Sequence, residues 1–171
     1  MRSDIIKLAN TEVVGIELGV AEGFFSAQAL CHQDIKHWYA VDMWAGDRGH
    51  DIVQYISACE RLSPYGHKTT ILKKRFSDAV EGFTDEYFDF IYIDGYAHTG
   101  QEGGDTLRDW WPKLKPGGVF AGDDYHADWP LTINSVDEFC AEHNTKLNIH
   151  HFDEHNHWSR YPSWYTIKEI T

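Results

Sequence analysis

The sequence lacks any uninterrupted apolar run that approaches the ~18 residues needed to cross a bilayer. Its first residues, MRSDIIKLANTE, also lack the continuous hydrophobic stretch of a secretory signal peptide. Basic residues are scarce, because 15 Lys and Arg stand against 27 Asp and Glu, which gives a formal net charge of −12. A surface of that sign repels nucleic-acid phosphates and anionic lipids. These deficits predict a cytoplasmic protein that has neither nucleic acid nor a membrane as its partner.

Cysteine is also rare. The three residues Cys31, Cys59 and Cys140 form an odd set that contains no CxxC motif. Each of them lies in a stretch whose apolar spacing is helical. We therefore interpret all three as reduced residues of the core rather than as a redox centre.

What the chain does contain is enough apolar material for one folded unit. It has 171 residues, of which 42% are hydrophobic and 15% are aromatic. Such a chain can offset the entropy of ordering and build one sizeable core, but it is too short for two domains of ordinary size. We predict a single domain over residues 1–171.

Short β-branched runs alternate with segments of 3.6-residue periodicity, which is typical of βαβ units and a mainly parallel sheet. We predict strands at Glu12–Leu18, His37–Met43, Thr69–Leu72, Asp89–Ile93, Val119–Ala121, Lys146–Phe152 and Ser163–Ile167. We predict helices from about Glu22, over Ile52–Cys59, over Leu107–Leu114 with Pro116-Gly117-Gly118 as its end, and over Ile133–Cys140. The polar stretch Asp153–Arg160 is the candidate for a mobile loop.

Polar residues that follow the first two strands predict a nucleoside-binding site, because ligands of open parallel sheets bind at the carboxyl ends of the strands. The first strand runs into an ExGxxxG pattern formed by Glu17, Gly19 and Gly23. Its glycines would let a ligand approach the backbone at a helix N-terminus. The second strand ends in Asp42, which can accept hydrogen bonds from both hydroxyls of a ribose. These features suit a nicotinamide cofactor or S-adenosylmethionine (SAM), and a tight turn that merely needs glycine is the alternative.

Three carboxylates follow the next two strands. Asp94 closes the fourth strand, and Asp123 with Asp124 closes the fifth. Adjacent strand ends would bring these side chains together, where they repel one another unless a cation is present. An oxygen-rich site of this kind suits Mg²⁺, Mn²⁺ or Ca²⁺. The alternative is that Asp123 and Asp124 are only turn and helix-capping residues.

Four segments carry a family resemblance, namely IELGVAEG, AVDMW, FIYIDGYAHT and WWPKLKPGGVFAGDDY. Together they resemble the class I, Rossmann-like SAM-dependent methyltransferases. Within that class the chain is similar to methyltransferase domain family 24, whose small metal-dependent O-methyltransferases act on small molecules. The resemblance runs from about Val13 to Tyr125. It implies an α/β fold with a seven-stranded, mostly parallel sheet, helices on both faces and a C-terminal antiparallel β-hairpin.

The resemblance also implies a set of site residues. The expected cofactor-binding residues are Glu17, Gly19, Gly23, Asp42, Met43, Trp44, Ser77, Asp78 and Asp94. Within that set, Asp42 would hold the ribose, and Met43 or Trp44 would flank the adenine. The expected ligands of Mg²⁺ or Mn²⁺ are Asp94, Asp123 and Asp124.

The expected catalytic residues are His98, as the base, and Asp94. His98 corresponds to the histidine that follows the IDG motif of the family. In the usual family spacing that histidine lies three residues after the aspartate, where this chain has Ala97. His126, just after the paired aspartates, is therefore the alternative base.

The chain begins almost at the first strand, without the N-terminal helices that commonly cover the substrate in similar proteins. The acceptor pocket is therefore expected to be open, or to be completed by the Arg48–Arg61 region, by the C-terminal hairpin or by a second subunit of a homo-oligomer. Trp129, which follows the acidic loop, is a candidate for its lining.

Two other clusters are interpreted as structural. Trp110 and Trp111 share helical spacing with Leu107 and Leu114, which favours core packing. A group of histidines crowds the C-terminal hairpin, namely His150, His151, His155 and His157. Neighbouring strand residues point to opposite faces, so we interpret this group as a solvated hairpin tip rather than a metal site.

The predicted reaction is methyl transfer from SAM to a hydroxyl oxygen of a small molecule such as a sugar or a vicinal diol. A divalent metal would bind the hydroxyl and lower its pKa, while His98 removes the proton. On this mechanism EDTA abolishes activity. The alternatives are a nicotinamide-dependent oxidoreductase and a non-catalytic domain that binds SAM or metal.

Overall fold

The computed structural model describes residues 1–9, 11–32, 34–46, 50–151 and 160–170. Its strands are β1 (Val13–Leu18), β2 (Ile35–Asp42), β3 (Thr69–Lys73), β4 (Phe88–Ile93), β5 (Leu114–Gly122), β6 (Asn148–His150) and β7 (Ser163–Ile167). They form one seven-stranded sheet in the order β3-β2-β1-β4-β5-β7-β6. Strands β1 to β5 pair in parallel, whereas β7 is antiparallel to both β5 and β6. The predicted sheet with an antiparallel C-terminal pair is confirmed.

Helices connect the strands. The α-helices are α1 (Phe24–Leu30), α2 (Ile52–Leu62), α3 (Phe76–Val80), α4 (Gly100–Gly103), α5 (Asp105–Trp110) and α6 (Pro130–Glu142). Four 3₁₀ helices cover Arg2–Leu8, Ser63–Lys68, Ala97–Thr99 and Trp111–Lys113. The first 3₁₀ helix, α1 and α2 pack on one face of the sheet, and α3, α5 and α6 pack on the other.

The central strands are buried on both faces, which explains their nearly continuous apolar sequence. Along β4, Phe90 and Tyr92 point into one core, and Ile91 and Ile93 point into the other. Burial of each such side chain stabilises the fold by about 1.5–3 kcal/mol. A sheet sandwiched in this way is a rigid platform, so the loops at its carboxyl edge start from fixed positions.

The segment before and within β5 differs from the prediction. Strand β5 begins at Leu114 rather than at Val119, so Pro116 and the two glycines after it lie in the strand and do not end a helix. Helix α5 stops at Trp110, and a 3₁₀ turn follows because Pro112 has no N–H to continue the α-helical pattern. The register of β4 against β5 shifts within this stretch, which accommodates the earlier start.

The beginning of the chain also differs from the prediction. Residues Arg2–Leu8 form a 3₁₀ helix ahead of β1. Ile5 and Ile6 are buried in the same core as α1, and the helix contacts α1 and β5. The segment is therefore part of the fold and, as shown below, part of the site.

The remaining structural predictions have mixed outcomes. All three cysteines are free thiols, but only Cys140 is buried, whereas Cys59 is half-buried and Cys31 is exposed just after α1. Trp110 is fully buried and Trp111 packs against the same core, as their spacing predicted. Residues 152–159, which include His155, His157 and most of the expected mobile loop, lie outside the described residues. No helix in the described part of the chain is long and apolar enough to cross a membrane.

Candidate functional site

A two-lobed cleft opens at the carboxyl ends of β1, β2, β4 and β5. The smaller lobe has a volume of about 230 Å³ and the larger lobe about 320 Å³. Both lobes are lined by Gly19, His50, Asp94 and Asp124. Most of the predicted site residues therefore line one of the two lobes, whereas Gly23, Trp44, Ser77 and Asp78 line neither.

The loop after β1 owes its first glycine to packing between strands. Gly19 has a φ of +97°, and a Cβ atom there would lie 2.0 Å from the carbonyl oxygen of Asp94. The expected reason for this glycine was the approach of a ligand, but the structure shows that β1 and the end of β4 already leave no space for a side chain. Gly23, with a φ of +80°, is the residue from which α1 begins.

Glu17 lies at the end of β1 and is 1% exposed. Its carboxylate accepts a hydrogen bond from the Ser26 hydroxyl, which in turn accepts one from Trp38 Nε1 at 2.8 Å. Burial raises the pKa of Glu17 well above its ordinary value. The side chain borders the larger lobe, and its hydrogen-bond partner Ser26 belongs to α1.

Asp42 ties the glycine loop to the end of β2. Its Oδ2 accepts hydrogen bonds from the N–H groups of Val20 and Ala21, both at 2.9 Å, and its Oδ1 accepts one from Trp44 at 3.1 Å. Nδ1 of His50 also lies 2.9 Å from Oδ2. Burial acts to raise the pKa of Asp42, but the hydrogen bonds from His50 and Ala21 outweigh it and lower the pKa. Asp42 is therefore an ionised acid at the rim of the smaller lobe.

The residues expected near the adenine are only partly in place. Met43 lines the smaller lobe, whereas Trp44 is buried beneath the loop, where its Nε1 donates to the carbonyl of Ala21 at 2.8 Å. On α3, Ser77 and Asp78 are exposed, and Phe76 lines the lobe instead. The sequence feature that could have identified Phe76 is its position between β3 and the predicted pair Ser77 and Asp78.

Asp94 and Asp123 share a cation that the sequence analysis did not anticipate. Nη1 of Arg2 lies 3.0 Å from Oδ2 of Asp94 and also donates to Oδ2 of Asp123. The other oxygen of Asp123 accepts a hydrogen bond from Ser163 at 3.3 Å. Both carboxylates therefore pair with the guanidinium of the N-terminal 3₁₀ helix.

The metal site expected at these aspartates is not assembled. Over residues 1–9, 11–32, 34–46, 50–151 and 160–170, no three His, Cys, Asp or Glu side chains form a group that could hold a metal ion. Burial, with further contributions from the neighbouring carboxylates, raises the pKa of Asp124. Burial likewise raises the pKa of Asp123, although Arg2 opposes the rise. Because Arg2 already occupies the oxygens of Asp94 and Asp123 that face it, these residues as arranged do not fit a divalent metal.

His98 and His126, the two candidate bases, lie in different surroundings. His98 belongs to the 3₁₀ turn after β4 and lines the smaller lobe together with Asp124 and Trp129. The ring of His126 stacks on that of Tyr161 at 4.7 Å and lines neither lobe. The geometry therefore favours His98 as the histidine that can reach a bound molecule.

The model of a methyltransferase domain family matches residues 16–125, which is more than half of the chain and includes Gly19, Asp42, Asp94 and Asp124. The chain belongs to this methyltransferase family. Its fold is that of the class I SAM-dependent methyltransferases, and membership of the family favours SAM over a nicotinamide cofactor.

Solved structures similar to this methyltransferase share its fold. They include precorrin-6y C5,15-methyltransferase from Geobacter metallireducens, with a TM-score of 0.71, 13% identity and coverage of 98% of this chain and 87% of that one. A SAM-dependent O-methyltransferase from Thermotoga maritima has a TM-score of 0.68 and 15% identity, and the match covers 98% of this chain and 64% of that one. The protein SMU.1697c from Streptococcus mutans, in complex with S-adenosylhomocysteine (SAH), has a TM-score of 0.67 and 14% identity. That match covers 97% of this chain and 94% of the other.

A relative by sequence is the uncharacterized protein y4gI of Sinorhizobium fredii, which is 29% identical over 113 residues. That match covers 61% of this methyltransferase but 12% of the length of y4gI. The site residues that sequence reasoning missed include Arg2, Phe76 and Tyr161, and His50 was covered only as part of the Arg48–Arg61 region. His50 had no motif to mark it, and Arg2 lay in a segment with no predicted element.

Proposed function

We propose that this methyltransferase transfers the methyl group of SAM to a hydroxyl oxygen of a small molecule such as a sugar or a vicinal diol. The observation that carries the proposal is the position of His98 in the same lobe as the acid Asp42 and the aromatic side chain of Trp129. A hydroxyl is a poor nucleophile until its proton leaves, and histidine is the side chain best suited to accept that proton near neutral pH.

The residues of the smaller lobe fit the nucleoside part of SAM. Oδ1 of Asp42 accepts a hydrogen bond from the N–H of Trp44 and keeps a second lone pair for a ribose hydroxyl. Met43 and Phe76 offer apolar surface for a purine. Glu17 and the backbone at Gly19 border the larger lobe, where we place the methionine part. SAM supplies an electrophilic methyl group on a sulfonium, so the protein has mainly to orient the acceptor and remove its proton.

The walls of the cleft favour a small, uncharged or cationic acceptor. Trp129 lines the smaller lobe and Tyr161 the larger, with their ring centroids 6.4 Å apart. These rings can pack on the face of a sugar or an aromatic diol and exclude water. The net charge of −12 disfavours a nucleic-acid acceptor.

No step of this reaction depends on a metal. One oxygen each of Asp94 and Asp123 is already bound to Arg2. These oxygens are therefore not free to hold a metal that would coordinate the acceptor hydroxyl. In this mechanism the orientation of the acceptor depends on the aromatic walls, and its deprotonation depends on His98.

An acceptor screen tests the proposal. The purified protein is incubated with SAM and, in separate reactions, with sugars, vicinal diols, primary amines and an RNA oligonucleotide, and S-adenosylhomocysteine is quantified. We expect turnover with hydroxyl acceptors. Turnover only with amines or RNA contradicts the acceptor class, and SAM binding without any turnover favours the non-catalytic alternative.

A further inference from the structure

We propose that the guanidinium of Arg2 is the resident cation of this site and excludes a divalent metal from Asp94 and Asp123. The inference holds whichever acceptor is methylated, because it concerns only the cation that these carboxylates bind. It assigns to the N-terminal 3₁₀ helix the charge that the family resemblance assigned to Mg²⁺ or Mn²⁺.

Arg2 and a divalent metal would compete for the same oxygens. Nη1 of Arg2 lies within hydrogen-bonding distance of Oδ2 of both Asp94 and Asp123. A metal ion that bridged those oxygens would sit ~2.1 Å from each of them, in space that the guanidinium nitrogen fills. The two occupants are therefore mutually exclusive.

The guanidinium of Arg2 also has a built binding place. Its carbon lies 5.0 Å from the ring centroid of Phe25 and 5.5 Å from that of Tyr92. Those two rings are stacked on each other at 3.9 Å and both are buried. Arg2 itself is 6% exposed. A planar cation on aromatic rings and between carboxylates combines cation–π attraction with charge-assisted hydrogen bonds.

The packing of the N-terminal 3₁₀ helix holds Arg2 in this position. Ile5 and Ile6 anchor the 3₁₀ helix in the core that also contains Phe25. Ser3 is buried, and its hydroxyl lies 3.4 Å from Nε2 of His32 at the other end of α1. Displacing the guanidinium would remove the cationic partner of the buried Asp123 carboxylate, which is strongly unfavourable. The cation of the site is thus installed when the chain folds.

The consequence is chemical as well as electrostatic. A guanidinium neutralises carboxylates and donates hydrogen bonds, but it has no empty coordination position for a hydroxyl oxygen. It therefore cannot hold the acceptor hydroxyl by coordination, as a metal would. That role falls to the other groups of the cleft, such as Trp129 and His98.

Manganese binding to the full chain tests the inference directly. Free Mn²⁺ is titrated into the wild-type protein and into R2M, R2K and the double variant R2M/D123N, and bound metal is measured by electron paramagnetic resonance. We expect the wild type and R2K to bind no stoichiometric Mn²⁺. Removing the charge in R2M should open one site and raise affinity by roughly tenfold or more, and the double variant should lose that gain.

Circular dichroism and thermal unfolding establish which variants fold. If R2M does not fold, the wild-type titration still decides: failure to bind Mn²⁺ supports the inference, and one tightly bound Mn²⁺ that D123N removes overturns it. A folded R2M that binds no more Mn²⁺ than the wild type also overturns it. None of these readouts depends on turnover, so a failed acceptor screen leaves them unaffected.

Discussion

At the scale of single residues, the cleft depends on backbone conformations and on a few polar contacts. Gly19 and Asp42 act mainly on the protein itself, one by letting β1 approach the end of β4 and the other by holding the loop through hydrogen bonds. His98 is different, because in the proposed reaction its imidazole accepts the proton of the acceptor hydroxyl. Substitutions at these positions should therefore separate effects on stability from effects on turnover.

We expect G19A to lower the free energy of unfolding by roughly 2–4 kcal/mol, because the new Cβ meets a backbone carbonyl and φ is positive. The matched control is G46A. Gly46 also has a positive φ, +86°, but nothing lies within 4 Å of an added Cβ. Chemical denaturation measures both, and equal losses would show that strain in φ alone, rather than the contact with Asp94, requires glycine at position 19.

We expect H98A to retain SAM affinity and lose about 10²–10⁴-fold in turnover at neutral pH, since a base positioned for proton transfer contributes that much. Partial recovery at alkaline pH should follow as the acceptor ionises unaided. H126A serves as the control, because His126 stacks on Tyr161 and lines neither lobe. Calorimetry and a S-adenosylhomocysteine assay check both variants. A larger loss in H126A than in H98A would transfer the role of base.

At the scale of elements, the N-terminal 3₁₀ helix links the core to the site. One side of this helix buries Ile5 and Ile6 against α1. Its first residue, Arg2, lies between the ends of two strands. A 3₁₀ helix of seven residues is not stable alone, so its order depends on this packing. The site is complete only when this helix is docked.

We expect I5A to lower the free energy of unfolding by about 2–4 kcal/mol, because it removes a buried branched side chain. L8A is the matched control on the same helix, since Leu8 is 47% exposed. Its loss should be roughly 0.5 kcal/mol or less. Denaturant titration compares them, and similar losses would mean that the helix is not docked as described.

At the scale of the whole molecule, acidic charge converges on the cleft of a protein that is already acidic. Asp94, Asp123 and Asp124 meet where β4 and β5 end, and Arg2 offsets only part of their charge. Burial and the neighbouring carboxylates raise the pKa of Asp124 above its ordinary value. Ionisation of this carboxyl therefore costs the folded state free energy that the unfolded chain does not lose.

We expect D124N to stabilise the protein, and the gain should grow with pH. Below the ordinary carboxyl pKa of ~3.9, Asp124 is protonated in both the folded and the unfolded protein and does not lower the free energy of unfolding. As pH rises toward the raised pKa of Asp124 in the folded protein, the same carboxyl ionises first in the unfolded chain. The stability of the wild type therefore falls relative to that of D124N. Asn also tolerates the φ of +62° at this position, which adds a gain that does not depend on pH. Unfolding in EDTA across pH 4–9 measures the difference, and a gain that shrinks as pH rises would contradict the assignment.

The alternation of strands and helices could be predicted from the sequence, because side-chain periodicity is a local property. Strand β7 has the predicted bounds, and β4 differs from its prediction by only one residue. The acids and glycines of the cleft could be found for a related reason, since parallel strands all end at one edge and Asp42, Asp94 and Asp124 each lie at or just after a strand end.

What these residues contact was decided by the tertiary structure. Arg2 meets Asp123 across 121 positions of sequence, and His50 meets Asp42 through a loop without a motif. Trp44 and Phe76 reverse the expected pattern, one buried beneath the loop and the other lining the cleft. The sequence by itself determined where carboxylates would gather. Which cation they bind depends on the path of a segment anchored elsewhere in the core, and no local pattern records that path.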